Sequence, residues 1–294
     1  MSTTVNWTNP YADRTGKWLK GNLHTHTSPA SGCGQVPLEE TLALYTGAGY
    51  DFLSISDHMK YTDVRSDRLV TMPGIEWNAP EGRHIGLYAC RPDRLIPHTT
   101  TTVPEEVLAS LTGDDTLLIL NHPNWQLRPH YRREELLALT GYDGIEIFNG
   151  VIKRLHGYEI ATDKWDYLLA NGRRVLGFAC DDFHAYKDLA QGWNVVRAPS
   201  VTPEAIFTAL KTGNFYCSSG VTLTDIRREG DQITVESDDG QEIQVIGDGG
   251  RLLQTTTDRA VTVEAGAWNT HYLRFAVYGT GSAMAWTQPF FAEE

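Results

Sequence analysis

From about residue 18 to residue 212, short apolar runs alternate with longer amphipathic stretches, the pattern of strands followed by helices in an α/β domain. The runs read Trp18 to Leu23, Tyr50 to Ser56, Leu69 to Ile75, His84 to Tyr88, Thr116 to Leu120, Gly144 to Phe148, Arg174 to Ala179 and Trp193 to Val196. Helices are expected over Pro37 to Thr46, Pro104 to Leu111, Arg132 to Leu139, Tyr158 to Ala170 and Pro203 to Lys211. Several of these open with Pro, whose missing N–H costs nothing at the first helical position. After Ser219 the pattern becomes apolar alternation broken by turn signals, so strands are expected at Leu223 to Arg228, Gln232 to Glu236, Glu242 to Ile246, Ala260 to Glu264 and Tyr272 to Val277.

The ends of the apolar runs carry the chemistry. Gly21-Asn22-Leu23-His24-Thr25-His26 places two histidines at a spacing that shares one face of an extended strand, where they can chelate one ion. The second run passes directly into Asp57-His58, the third ends near Glu76, His84 opens the next, His122 follows Leu118 to Asn121, and Asp182-Phe183-His184 follows Phe178 to Cys180. A charged group just past a buried strand sits at its C-terminal mouth, where barrels and doubly wound sheets build their sites. One such residue reads equally well as a helix cap, but the repetition does not. Imidazole and carboxylate without thiolate suit Zn, Mn or Fe, and the ligands outnumber the four that one structural zinc uses, so more than one ion is expected. A carboxylate such as Glu76 can bridge two of them, an arrangement suited to hydrolysis.

Other function classes are disfavoured by composition. The net charge is 25 − 37 = −12, and no cluster of Lys and Arg marks a nucleic-acid surface, so no stable nucleic-acid complex is expected. No run approaches the length of a membrane span, and Met1 to Lys20 lacks the apolar core of a signal peptide, so no membrane partner and a cytoplasmic location are expected. Cys33, Cys90, Cys180 and Cys217 form no C-x-x-C pair and read as buried, reduced thiols.

The ordered set His24 and His26, Asp57 and His58, Glu76 with His84, His122 before Pro123, and Asp182 with His184 resembles the PHP (polymerase and histidinol phosphatase) superfamily of metal-dependent hydrolases. The phrases around Trp165, Asp181-Asp182-Phe183-His184, Gly192-Trp193-Asn194, Phe215 to Gly220 and Ala285 to Pro289 are similar to the CehA/McbA-like branch. The resemblance implies an α/β fold, a distorted (β/α)7 TIM-like barrel, placed over residues 1–220; the alternation after Ser219 makes residues 221–294 a small all-β C-terminal domain. It also implies two to three divalent metal ions, Mn, Zn or Fe, at the barrel mouth. One ion would take His24, His26, Glu76 and Asp182; a second would share Glu76 and add His84 and His122; a third would use His58 and His184. Members with a full third site usually place Asp or His a few residues after H-x-H, where this chain reads Ser28-Pro29-Ala30-Ser31.

The expected activity is hydrolysis of a small phosphorylated substrate by a metal-bridging hydroxide. Aryl ester or carbamate hydrolysis is the second reading, and a non-catalytic metal-stabilised binding domain the third. Asp57 either orients His58 and shuttles a proton, as a catalytic residue, or caps a helix. Lys60, Arg128, His130, Arg154 and His156 are the candidate phosphate contacts, each also readable as a solvated surface group. Glu146 and Asn149 are candidate partners of the ligands, and Trp165 is expected to pack in the core.

Overall fold

The computed structural model describes residues 6–126 and 130–293, so Arg128 lies outside the described residues. The chain runs through β1 (Asn6–Trp7), β2 (Lys17–Asn22), α1 (Leu38–Gly47), β3 (Phe52–Ile55), β4 (Val70–Asn78), β5 (His84–Ala89), α2 (Pro104–Leu111), β6 (Thr116–Leu120) and α3 (Arg133–Ala138). It continues through β7 (Gly144–Asn149), α4 (Thr162–Ala170), β8 (Leu176–Cys180), β9 (Trp193–Ala198), α5 (Pro203–Thr212) and β10 (Phe215–Ser218). Each expected apolar run forms a strand. In α5 the local rules are plain: Thr202 accepts a hydrogen bond from the Ala205 N–H, Pro203 opens the helix, and Gly213 closes it at φ 81°, a left-handed backbone that favours glycine.

Strands β2 to β8 join in sequence order, parallel at β2–β3, β3–β4, β6–β7 and β7–β8, and antiparallel at β4–β5 and β5–β6. Only a short turn separates β4 from β5, and a hairpin so short forces antiparallel pairing, which interrupts the expected β/α repeat. On the far side β9 lies antiparallel to β2. A ladder from β8 to β9 would complete a ring, but among the described residues no such ladder forms, so of the expected distorted (β/α)7 barrel the structure bears out a mixed α/β sheet and no closed ring.

The reason is visible at the seam. Facing β9, the backbone of β8 is satisfied by side-chain amides at every second residue. The Gln288 amide donates to Gly177 O at 2.7 Å and accepts the Gly177 N–H at 3.0 Å. Asn194 does the same for Ala179 at 2.9 and 3.1 Å, and Asn22 Oδ1 accepts the Asp181 N–H at 3.1 Å. All three amides are buried. They occupy the positions a neighbouring backbone would take, so the curled sheet meets itself through side chains that pair the backbone groups of Gly177 and Ala179 and the Asp181 N–H.

The C-terminal strands are β11 (Leu223–Glu229), β12 (Gln232–Ser237), β13 (Glu242–Gly247), β14 (Arg251–Thr256), β15 (Ala260–Glu264), β16 (Tyr272–Tyr278), β17 (Met284–Thr287) and β18 (Phe290–Glu293). The large sheet continues from β9 through β10, β17, β16 and β18 to β1, with β13 also on β16 and β14 on β13. A three-stranded sheet, β11-β12-β15, shares a second core with it, in which Ile226, Ile233 and Val263 pack with Val245, Phe275 and Phe290. This all-β part docks on α4 through the buried Asp166, which accepts from the Arg274 guanidinium and, at 2.8 Å, from the Tyr272 hydroxyl. No helix among the described residues is long and apolar enough to cross a membrane.

Truncating Asn194 strips two backbone groups of β8 of their partners, each costing about 1–3 kcal/mol when buried and unsatisfied. Asn194→Ala should therefore lower the unfolding free energy by about 2–4 kcal/mol in a denaturant titration, against a few tenths for a surface substitution such as Asn269→Ala.

Candidate metal centre

The extended backbone beyond the strand ends assembles the ligands. Past β2 the chain stays extended, and Thr25 forms a parallel bridge with Phe183: His26 N–H donates to Phe183 O at 2.9 Å and Phe183 N–H to His24 O at 3.3 Å. The neighbours of the two bridged residues are His24 and His26 on one segment and Asp182 and His184 on the other. Alternation therefore turns all four toward the same space. A second bridge joins His58 to Glu76. His122 at φ 30° and Asp182 at φ 52° hold left-handed backbone that non-glycine residues seldom adopt, a strain typical of functional sites.

Around one point lie His24 Nε2, His26 Nε2, Asp182 Oδ1 and the Glu76 carboxylate. The separations are 3.1 Å between the two Nε2 atoms, 3.1 and 3.2 Å from His24 to Glu76 and Asp182, and 3.3 and 3.2 Å from His26 to the same pair. His24 Nδ1 faces Glu146 Oε1 at 2.8 Å, and His26 Nδ1 faces Ser31 Oγ at 3.1 Å. Ser31 spends its own proton on Asp57 Oδ1, so its oxygen accepts from His26. Both imidazoles thus carry a proton on Nδ1 and present the Nε2 lone pair inward. A proton on either Nε2 can serve only one of the surrounding acceptors, whereas one cation serves all. Donor atoms about this far apart leave room between them for one cation at roughly 2.0–2.2 Å, the zinc–nitrogen and zinc–oxygen distance. Asp182 Oδ1 is buried and receives no hydrogen bond, as an atom reserved for a cation would.

Glu76 extends the cluster. Its Oε1 lies 3.0 Å from His84 Nδ1 and 3.1 Å from His122 Nε2, and its Oε2 lies 2.9 Å from His58 Nδ1. Burial pushes the Glu76 carboxyl up, and without a cation it is positive charge on His84, His24 and His58 that outweighs burial and holds the group ionised, well below the usual carboxylate range; a bound cation would take over that charge and leave the imidazoles neutral. Asp182 is held down likewise against its burial, by His24 and His184. One carboxylate therefore touches both imidazole sets, and the groups whose donor atoms all lie within 4.8 Å of one another, among them His24–His26–Glu76, His24–His122–Asp182 and His84–His122–His130, form a donor set that fits divalent cations.

The remaining expected residues divide. Glu146 and Asn149 do support the ligands: Glu146 also accepts the His122 N–H, and the Asn149 amide donates to Glu146 Oε2 at 2.8 Å and Asp182 Oδ2 at 3.2 Å. Asp57 stands back from the cluster. Its carboxylate accepts from Thr27 N–H, Thr27 Oγ1, Ser31 and Thr62, which leaves it a scaffold for the loop behind His26, with no helix beginning there. His130 is buried against His84, His122 and Trp125, held neutral by burial and by the adjacent His122 and His84. It lies outside the cavity lining, but its ring nitrogen falls within 4.8 Å of donor atoms of His84 and His122, so it groups with them as a candidate ligand rather than with the phosphate contacts. Lys60 and His156 are exposed and do not line the cavity either. Arg154 does, braced by a two-pronged ion pair with the buried Asp188 at 2.7 and 2.8 Å. Trp165 is fully buried and donates to Val175 O, as core packing requires.

Two groups escaped sequence reading. Asn121 donates to Glu76 Oε1 at 2.9 Å, and its place beside His122 at a strand end was the available signal. Cys33, expected to be buried, is an exposed loop residue whose thiol joins His26, His58 and His184, so thiolate is not missing from the donor set. Burial raises the Cys33 thiol, but hydrogen bonds with His184 and His58 outweigh it and bring its pKa down to about 6. The open side of the cluster is a cavity of about 310 Å³ walled by Trp125, Val151, Ile152, Arg154 and Leu155.

No family model matches the chain, and no curated protein matches it in sequence. Solved structures do. A two-domain protein from Bacteroides vulgatus containing a predicted PHP-like metal-dependent phosphoesterase superposes with a TM-score of 0.52 at 16% identity, covering 94% of this chain and 87% of that one. The lesion-specific endonuclease PfuEndoQ from Pyrococcus furiosus gives a TM-score of 0.53 at 14% identity, over 66% of this chain and 56% of that one. The chain therefore shares the fold of PHP-like proteins.

Elemental analysis of purified variants reads the site directly. His24→Ala and Glu76→Ala should each lower bound metal, and Glu146→Ala, which removes the acceptor fixing the His24 tautomer, should weaken metal affinity about 10–100-fold. His271→Ala should leave metal content unchanged, since His271 is exposed and pairs with Asp248 in the β region.

Proposed function

We propose that the chain is a metal-dependent phosphoesterase of PHP type acting on a small phosphorylated molecule. The observation that carries this reading is the single carboxylate, Glu76, in contact with two imidazole sets at the floor of a cavity whose rim bears a braced guanidinium. Divalent cations, with Mn, Zn and Fe the candidates, would supply an acidified water and an electrophilic contact to the substrate oxygen when bound by these residues. The likeness to proteins described as a PHP-like phosphoesterase and an endonuclease supports the same class. Placement in the CehA/McbA-like branch rests on sequence phrases alone.

The protein's residues have distinct parts in this reading. His24, His26 and Asp182 hold one cation and His84 and His122 another, with Glu76 common to both. Glu146 and Ser31 fix the tautomers of His24 and His26, and Asp57 acts through Ser31 as a positioning residue. The Arg154 guanidinium, kept in place by Asp188, offers charge to the oxygens of a phosphoryl group. Trp125, Val151 and Ile152 exclude water from one side and give an organic substituent a surface to pack on. The small cavity and the charge of −12 favour a small molecule over a nucleic acid.

That apolar wall also favours a second reading, hydrolysis of an aryl ester or carbamate at the same centre. A panel of phosphomonoesters, phosphodiesters and naphthyl carbamate assayed with Mn separates them. Turnover of phosphoesters alone supports the proposal, carbamate turnover alone replaces it, and inactivity on all would leave a metal-stabilised binding domain. Arg154→Ala should raise KM for a phosphoester about 10-fold or more through loss of a charge-assisted contact, with a smaller effect on a neutral carbamate.

A further inference from the structure

We propose that Cys33 is a thiolate ligand that completes a third cation site with His58 and His184, making that position sulfur-ligated and chemically unlike the other two. Ligand atoms of Cys33, His58, His184 and His26 all lie within 4.8 Å of one another. His26 presents its Nε2 to the first position, which leaves two imidazoles and the thiol for the third.

The tautomers fit. His184 Nδ1 lies 2.8 Å from the Asp182 carbonyl oxygen and therefore donates to it, since a carbonyl can only accept. His58 Nδ1 is engaged by Asn78 Oδ1 at 3.0 Å and by Glu76 Oε2 at 2.9 Å, also acceptors. Each ring is thus left with a lone pair on Nε2, the form in which imidazole ligates a metal while its other nitrogen is held by an oxygen.

The loop that carries Cys33 is built against the metal-bearing segments. Gln35 N–H donates to His184 O at 2.8 Å, Ser31 N–H to Thr27 O at 2.8 Å, and His58 N–H to Ser31 Oγ at 3.0 Å, so main chain on both sides of Cys33 is tied to the segments bearing His184 and His58. Gly34 lies so close to Thr27 that a Cβ there would stand 2.8 Å from its carbonyl carbon and oxygen. Only glycine permits that approach, and the approach seats the thiol at the cavity edge.

On binding, the S–H bond breaks, a sulfur–metal bond forms and the proton passes to solvent, with no change of oxidation state. Two nitrogens and one soft sulfur favour Zn or Co over Mn, so the third position should select a different ion from the oxygen-rich pair. The inference rests on the reading of the cluster as a metal centre, but not on the substrate.

The test is cobalt loading of the full chain. The wild type should show sulfur-to-cobalt charge-transfer absorption in the near ultraviolet and bind three ions. Cys33→Ser should lose that absorption together with one ion, Cys33→His should regain the ion without the absorption, and Cys90→Ser, at an exposed thiol outside the cluster, should match the wild type. Persistence of the absorption in Cys33→Ser, or equal cobalt content in wild type and Cys33→Ser, would overturn the proposal while leaving the two-ion centre standing. A wild type that binds no cobalt would overturn both.

Discussion

Two imidazole lone pairs and two ionised carboxylates meet at about hydrogen-bond distance, in a buried space, with no proton arrangement that satisfies them all. In water such a set would be solvated; buried, it is repulsive unless a cation neutralises it. The surrounding structure serves to hold that set in place. Glu146 and Ser31 fix tautomers, Asn121 and Asn149 brace the carboxylates, and the Thr25–Phe183 bridge interleaves ligands from segments more than 150 residues apart in sequence. Deleting one ligand removes a contact; deleting a brace rotates one.

The sheet makes this assembly possible by bringing its first and last strands together without a ladder. Side-chain amides at Gln288, Asn194 and Asn22 take the backbone groups of β8 in turn, and the last of these lies two residues before His24. The seam and the histidine–carboxylate cluster are therefore adjacent along both β2 and β8. Gln288 comes from the C-terminal region, which ties the all-β part to the seam as well as to α4 through the Asp166–Arg274 pair. This gives residues far from the cavity a direct structural stake in its geometry.

The strands and their chemistry were largely legible because burial and alternation are local. A run such as Leu118 to Leu120 followed by Asn121-His122 states in its own residues that a polar pair emerges from a core strand. Partnership across the fold is not local. The antiparallel β4–β5 pair and the amide seam, which leave the expected distorted barrel without a closing ladder, have no local signal, and strands β10, β17 and β18 carry no alternation that separates them from loops. Asp57, with the sequence signature of a site residue, is consumed by four loop hydrogen bonds, and Cys33, with none, is delivered to the histidines by a loop whose course depends on Gly34. Among the cations, nothing in sequence distinguished Arg154, which has a buried carboxylate to brace it, from Lys60 and His156, which do not line the cavity.

The central claim is that these side chains surround metal. The most direct measurement is an anomalous-scattering experiment on crystals of the protein grown with Mn or Zn, with data collected on both sides of the metal's absorption edge. An anomalous peak should stand between His24, His26, Asp182 and Glu76, with another near His84 and His122. Crystals in which those side chains splay apart, or converge with no anomalous density between them in the presence of either metal, would contradict the account.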